Sequence, residues 1–454
     1  MQRIIPKNLI RLAEDCPEPL YAVGGSVRDF LSDFTPQNGA RDWDIASTLP
    51  AESLVTLATA HGFEAKAVYK NTGTVKLTDG EGNDYEYSRF RSDKYVRGVH
   101  VPVDIFFTDD IDLDARRRDF TCNAVYYDIA NARYVDPLNG ISAIKEKRLA
   151  TVAPAEKVFG EDGLRLMRLA RQSAQLGFSP DAECLAGATK NAALIDDISP
   201  ERIFAELSSL LFADKKYGVK YGHYRGLELL EQTGVLARIL PELTLGKGMA
   251  QRADFHKYDV LEHSLRAAMY AEESVRFAAL LHDVGKPFCA VRDGNSYAHP
   301  EEGERIAGEI LSRLKAPKKL IAETQTLVRL HMYDFDCKTK ESKLRRFFAT
   351  NAPTLEKLLL VKQADFSACT DDLSPAPTCV RWKNLLNKMQ TEGAPLALKE
   401  LAVTGKDLLS ADIPPAQIAV VLKALLVHAA VHPTDNKKER LCKLAKSYLP
   451  HNQK

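Results

Sequence analysis

The chain has 454 residues, 45% hydrophobic and 27% charged, with a formal net charge of +1. Such a length predicts roughly two to four domains with cores of their own, the composition excludes a disordered or fibrous chain, and the balanced charge excludes a global basic field while leaving room for local basic patches. No apolar run reaches the roughly 18 residues of a membrane-spanning helix, the N-terminal MQRIIPKNLIRLAEDC carries charges where a signal peptide needs an apolar region, and eight scattered cysteines form neither a C-x-x-C pair nor a disulfide framework, so a reducing cytoplasm is the expected setting.

LYAVGGSVRDFL, residues 20–31, predicts a strand, a Gly24-Gly25 turn and the start of a helix. Glycines at that junction let backbone N–H groups approach a phosphate, and Arg28 could add a guanidinium fork to the same anion. GARDWDIAST, residues 39–48, sets Asp42 and Asp44 on either side of Trp43 in a short apolar strand. Residues i and i+2 of a strand share a face, and two carboxylates there repel unless a cation sits between them. TGTVKLTDGEGNDYEYSRFR predicts a hairpin, and NAVYYDIANARYVDPLNG a second one with its turn near Asn131. In ARRRDFTCNA three consecutive arginines run into an apolar segment. An arginine drawn inward beside Asp119 would offer fixed donors and acceptors to a ribose or a phosphate.

After about residue 150 strand signals stop. EDGLRLMRLARQSAQLGF reads as a helix stopped by Gly177, and SPERIFAELSSLLF as a helix opened by Ser199-Pro200. Asp162 and Arg165, three apart on one helical face, present an acceptor and a donor. Cytosine and adenine each offer an exocyclic amine and a ring-nitrogen acceptor to such a pair, whereas uracil and guanine present the wrong pattern. Further on, FAALLHDVGKP places His282-Asp283 at the end of an apolar helix, with His263, His299, His331 and Asp365 on flanking segments. Imidazoles and carboxylates spread over four helices can enclose one or two divalent metals. RLKAPKKL and KTKESKLRRFF, the latter bearing Phe347 and Phe348, are basic clusters that could face RNA.

Together GGSVRDFL, RDWDIA, RRRDFTCNA, DPLNG and EDGLR resemble the class II tRNA nucleotidyltransferase and bacterial poly(A) polymerase family, within the DNA polymerase β-like superfamily. The resemblance covers roughly the first half of the chain. It implies Asp42 and Asp44 as Mg²⁺ ligands and catalytic residues, Gly25 and Arg28 at the nucleotide, and Arg118, Asp119 and Asn123 at the ribose. Asp136, Pro137 and Gly140 resemble the family's hinge, and Glu161, Asp162 and Arg165 its amino-acid template; Arg168 and Arg171 join Asp162 and Arg165 as nucleotide-binding candidates. Cys122 stands where the family usually has Ile. Glu86 falls where a third catalytic acid is expected, with Asp104 as its competitor. RSDKYVRGVHVPVDIFFTDDIDLD looks like the family's flexible loop, which serves the final adenosine. Residues 255–370 resemble HD-type phosphohydrolases, which implies His263, His282, Asp283, His299, His331 and Asp365 as ligands of a divalent metal. It also implies hydrolysis of phosphate esters, such as a 2′,3′-cyclic phosphate or a 2′-phosphate at an RNA end.

The implied architecture is a mixed α/β polymerase β-like nucleotidyltransferase head (1–150) followed by an all-α neck (151–250), an HD body (251–370) and a helical tail (371–454). The expected function is addition of C, C and A to tRNA 3′ ends from CTP and ATP, by two-metal nucleotidyl transfer in the cytoplasm without a membrane. An A-adding or poly(A)-forming enzyme is the neighbouring alternative. An HD phosphohydrolase with an RNA-binding N-terminal domain is the alternative of another class.

Overall fold

The computed structural model describes residues 1, 4–34, 42–96 and 99–449; residues 39–41 of the GARDWDIAST stretch and Arg97-Gly98 lie outside the described residues. The chain divides into two compact units, one of residues 1–244 and 310–316, the other of residues 245–309 and 317–454. No described helix is long and apolar enough to cross a membrane.

Among the described residues nine strands precede the helical part: β1 (Tyr21–Val23), β2 (Asp42–Ser47), β3 (Glu64–Tyr69), β4 (Thr74–Thr78), β5 (Asp84–Arg89), β6 (Arg91–Lys94), β7 (Asp104–Phe107), β8 (Tyr126–Asp128) and β9 (Arg133–Val135). Seven form one sheet in the order β3-β4-β5-β2-β1-β8-β9, and β6 and β7 form a separate ribbon. Both expected hairpins are present, as β4–β5 and β8–β9. The pairing of β2 with β5 is parallel, with Asp42 beside Asp84 and Asp44 beside Glu86. Alternation assigns the faces. Trp43 and Ile45 of β2, Tyr85 and Tyr87 of β5, and Val75 and Leu77 of β4 are all buried, on the side where helix Ala51–Ala60 packs. The intervening carboxylates face the other way.

Beyond β9, Asp136 accepts hydrogen bonds from the N–H groups of Gly140 (2.7 Å) and Ile141 (2.9 Å) and so caps helix Gly140–Lys145. Strand pairing recurs once past the expected limit, where Arg148–Leu149 runs parallel to Ser179–Pro180. Segments of two residues are too short to leave a periodic signal. Gly177 stops helix Leu164–Leu176 in the left-handed region (φ 67°), and Pro200 opens helix Pro200–Leu211. One expectation is corrected: Glu161 to Arg165 is not a single helix. Helix Ala155–Glu161 ends before Asp162, which is extended (φ −145°, ψ 110°), and Arg165 belongs to the next helix. Gly163 permits the break, because a Cβ there would lie 2.5 Å from the Leu194 carbonyl oxygen.

The second unit is helical. Trp382 is fully buried among Phe347, Phe348, Leu358, Val421 and Leu425, with its ring 5.1 Å from that of Phe348, and its indole N–H donates to Asp334 (2.9 Å). Phe347 and Phe348, noted beside a basic cluster, are core residues, because the helical period of Glu341–Asn351 turns them inward and leaves Lys343 and Arg346 exposed. Trp382→Ala should cost about 3–5 kcal/mol, read as a lowered melting temperature of the transition that reports this unit.

Candidate active site and metal centre

The sheet gathers Asp42, Asp44, Asp84 and Glu86 on one face through the β2–β5 register. Asp44 sits opposite Val23 of β1, directly under the glycine turn. A Cβ on Gly24 would lie 2.5 Å from Asp44 Oδ2, and Gly24 has φ +74°, so both space and backbone demand glycine. Burial, with the Glu86 charge, pushes the Asp44 carboxyl up, against Arg118, Arg28 and a hydrogen bond from the Gly25 N–H. Asp42 and Glu86 are exposed at the rim. Asp104 lies on the β6–β7 ribbon paired with Lys94 and does not share this face. Like charges concentrated beside backbone donors fit a divalent cation with oxygen ligands.

Arg28 follows the turn in helix Gly25–Leu31 but presents no open fork to the face. Its guanidinium donates to Asp29 (2.6 Å), Asn123 (2.6 Å) and Tyr217 (3.3 Å). Asn123 in turn donates to Asp119 (2.9 Å) and Gln172 (3.0 Å), and Arg168 closes the chain on Asp119 at 2.8 Å. Despite burial, Arg168 and these donors hold the Asp119 carboxyl below its ordinary value. The arginine run departs from expectation here. Arg118 is drawn inward, but towards Asp114 (3.1 Å) and the Tyr126 hydroxyl (3.2 Å) and not towards Asp119. Arg117 shares Asp114 at 2.7 Å. Arg171 pairs with Glu206 at 2.6 Å.

Around the helix break, Asp162 accepts from the Leu164 N–H (3.0 Å) and pairs with Arg202 (3.4 Å). Arg165 is buried; its Nη1 donates to the Val158 carbonyl (3.0 Å) and Glu161 (2.9 Å), its Nη2 to the Arg117 carbonyl (3.0 Å). The Tyr95 ring lies 5.3 Å from the Arg165 guanidinium carbon, and His100 Nδ1 accepts from the Gly163 N–H (3.0 Å).

In the second unit the six side chains named from the sequence converge. They come from five helices and not four: Val260–Tyr270 carries His263, Arg276–Leu281 leads into His282 and Asp283, His299 opens its own helix, Lys318–Leu330 leads into His331, and Leu355–Thr370 carries Asp365. His282, His299 and His331 each hold Nδ1 2.6–2.7 Å from a backbone carbonyl. A carbonyl only accepts, so Nδ1 bears a proton in each ring; His299 and His331 turn an Nε2 lone pair inward, while His282 Nε2, beside Asp283 and Asp365, carries a proton that a bound metal would displace. Asp283 stands between two halves of the cluster. Its Oδ1 is 3.2 Å from His299 Nε2 and 3.8 Å from His331 Nε2; its Oδ2 is 3.2 Å from His282 Nε2 and 2.6 Å from Lys286 Nζ. Asp283 Oδ1 is buried with no hydrogen bond among the described residues. Burial opposes a charge on His282, yet Asp283 and Asp365 raise its imidazole to about 10, while burial with His282 and His299 holds His331 far below its ordinary value. Inward lone pairs around an unsatisfied carboxylate fit one or two divalent ions.

Three family profiles match the chain: the poly A polymerase head domain over residues 20–150, the probable RNA and SrmB-binding site of polymerase A over 177–245, and the HD domain over 256–366. An A-adding tRNA nucleotidyltransferase from Deinococcus radiodurans is 32% identical over 371 residues, 78% of this chain and 77% of that protein. The chain belongs to the tRNA nucleotidyltransferase and poly(A) polymerase family. It is also similar to a multifunctional CCA protein from Stenotrophomonas maltophilia, at 32% identity over 328 residues, 69% of this chain and 75% of that one. The solved structure of a Bacillus stearothermophilus CCA-adding enzyme in complex with CTP superimposes with a TM-score of 0.67 at 25% identity, covering 98% of both chains.

Within this tRNA nucleotidyltransferase-family chain, sequence reasoning passed over Asp84, Tyr95, His100 and Asp114, and over Lys286 in the metal cluster. Asp114 left a signal, since positions 114, 117 and 118 share one helical face; the others depend on strand register and loop closure. Asp114→Ala removes the anchor common to Arg117, Arg118 and Tyr126. It should destabilise the first unit by about 3–5 kcal/mol and slow nucleotide addition about 10- to 100-fold, measured by thermal denaturation and single-turnover kinetics at a temperature where the variant stays folded.

Proposed function

We propose that the chain adds C, C and A to tRNA 3′ ends from CTP and ATP in the cytoplasm, and that its HD cluster hydrolyses phosphate esters at RNA ends. The observation that carries the first part is the register that puts Asp42, Asp44 and Glu86 on one face beneath the Gly24-Gly25 turn. Asp42 and Asp44 would hold Mg²⁺, which when bound makes the α-phosphate more electrophilic and offsets charge on the departing pyrophosphate. Backbone N–H groups beyond Gly25, whose own N–H donates to Asp44, would receive the triphosphate. Arg118, aimed by Asp114 and Tyr126, neutralises charge beside Asp44. Arg28 acts indirectly, by fixing Asn123 and through it Asp119, whose carboxylate can receive a ribose hydroxyl. Glu86, exposed next to Asp44, is the candidate to draw the proton from the RNA 3′-hydroxyl.

Selection of C or A falls to Asp162 and Arg165. With Nη1 and one Nη2 proton of Arg165 engaged by Val158, Glu161 and Arg117, its Nε–H and second Nη2–H form the fork left for a base edge. Tyr95 supports that guanidinium from its face. Arg168, held on Asp119, and Arg171, held on Glu206, keep the same helix basic. In the second unit His263, His282, Asp283, His299, His331 and Asp365 would hold a divalent metal that activates water.

A-only addition is the second reading, favoured by the A-adding name of the Deinococcus radiodurans relative. Transcripts ending at the discriminator base, in C, and in C-C, incubated with Mg²⁺ and CTP, ATP or both, separate the readings at single-nucleotide resolution. Three additions to the first transcript establish CCA synthesis; addition of A to the C-C transcript alone establishes the A-adding reading. Asp42→Ala should abolish addition and spare HD hydrolysis of a cyclic-phosphate RNA end, and His282→Ala should do the reverse. Addition left intact in Asp42→Ala would refute the carboxylate assignment.

A further inference from the structure

His263 is the exception in the HD cluster. Its three companions donate Nδ1–H to backbone carbonyls, but its Nε2 lies 3.0 Å from Asp365 Oδ1. A carboxylate oxygen accepts, so Nε2 bears the proton and the lone pair falls on Nδ1. His263 is fully buried, and its Nδ1 has no hydrogen-bond partner among the described residues. A buried imidazole nitrogen without a partner leaves its desolvation uncompensated unless something binds it.

Two further donors flank that ring. The His256 ring packs edge-on against His263, with centroids 4.9 Å apart, and His256 Nδ1 is likewise buried without a partner. Cys369 lies one helical turn beyond Asp365 on Leu355–Thr370, and its thiol meets only the Asp365 carbonyl of its own helix (3.4 Å). One ligand atom from each of His256, His263 and Cys369 lies within 4.8 Å of the others. The Lys257 N–H donates to the Cys369 carbonyl (2.9 Å), which fixes the loop bearing His256 to the end of that helix.

We propose that His256, His263 Nδ1 and Cys369 form a soft-metal subsite beside the HD cluster, taking a zinc-like divalent ion with one open position. Two imidazoles and a thiolate are a donor set for such an ion, and a carboxylate holding the far nitrogen of a metal-binding histidine is a recurrent outer arrangement, here Asp365 on His263 Nε2. Binding forms one metal–sulfur and two metal–nitrogen bonds and releases the Cys369 thiol proton to solvent. The site competes with the HD cluster for His263, whose ring offers only Nδ1 while Nε2 keeps its proton on Asp365, and it owes nothing to the nucleotidyl-transfer reading.

Cobalt titration of the full chain tests this. A thiolate-to-cobalt charge-transfer absorption should appear in the native protein, disappear in Cys369→Ser with one fewer tightly bound ion, and persist in His331→Ala, which removes a ligand only from the neighbouring cluster. His256→Ala should weaken the titration that yields this band by about tenfold or more. Absence of the band from the native protein, or its survival in Cys369→Ser, would overturn the proposal; unchanged far-ultraviolet dichroism of each variant ensures that the band reports the site and not unfolding.

Discussion

The sheet face of the first unit depends on keeping negative charges together. Asp42 and Asp44 occupy alternate positions of one strand, and parallel pairing sets Asp84 and Glu86 beside them. Coulomb repulsion among these groups favours any register that separates them. What holds the register is on the opposite side, where Trp43, Ile45, Tyr85 and Tyr87 are buried. A slip of one residue would expose these apolar side chains and bury the carboxylates. The hydrophobic core thus imposes the electrostatic strain, which a bound cation would relieve.

The positive groups around that face are themselves fixed by buried anions. Asp114 takes Arg117, Arg118 and Tyr126; Asp119 takes Asn123, Gln172 and Arg168. Long guanidinium side chains carry about 2 kcal/mol of rotamer entropy, so anchoring each one before substrate arrives removes that cost from binding. Arg28 illustrates the consequence. Its charge is spent inside the protein, on Asp29, Asn123 and Tyr217.

The second unit solves a similar problem with tautomers. Backbone carbonyls at Ala279, Ser296 and Val328 decide which nitrogen of His282, His299 and His331 is protonated, and so which one faces Asp283. Asp365 makes the opposite choice for His263. Rings of one chemistry therefore present their inner nitrogens in two ways, and which way follows from the acceptor each ring finds.

The sequence by itself was enough to name the glycine turn, both hairpins and the Asp42/Asp44 pair, because each rests on local spacing, and the resemblance to HD-type phosphohydrolases named six side chains that the fold brings together in the second unit. It also separated a mixed α/β beginning from a helical remainder. Tertiary structure decided what spacing cannot carry. Parallel pairing of β2 with β5 set Glu86 beside Asp44 and left Asp104 on the β6–β7 ribbon, since strand neighbours are set by crossover and not by distance along the chain. Packing against Leu194 broke the helix at Asp162-Gly163, overriding a continuous periodic pattern. Arg118 turned to Asp114, one helical turn back, because that carboxylate is fully buried and needs the charge. Phe347 and Phe348 went to the core with Trp382, and His263 took its tautomer from Asp365, a residue 102 positions away. Local pattern fixes which groups a chain can offer; only the fold, by bringing distant acceptors and apolar surfaces together, fixes where each group points.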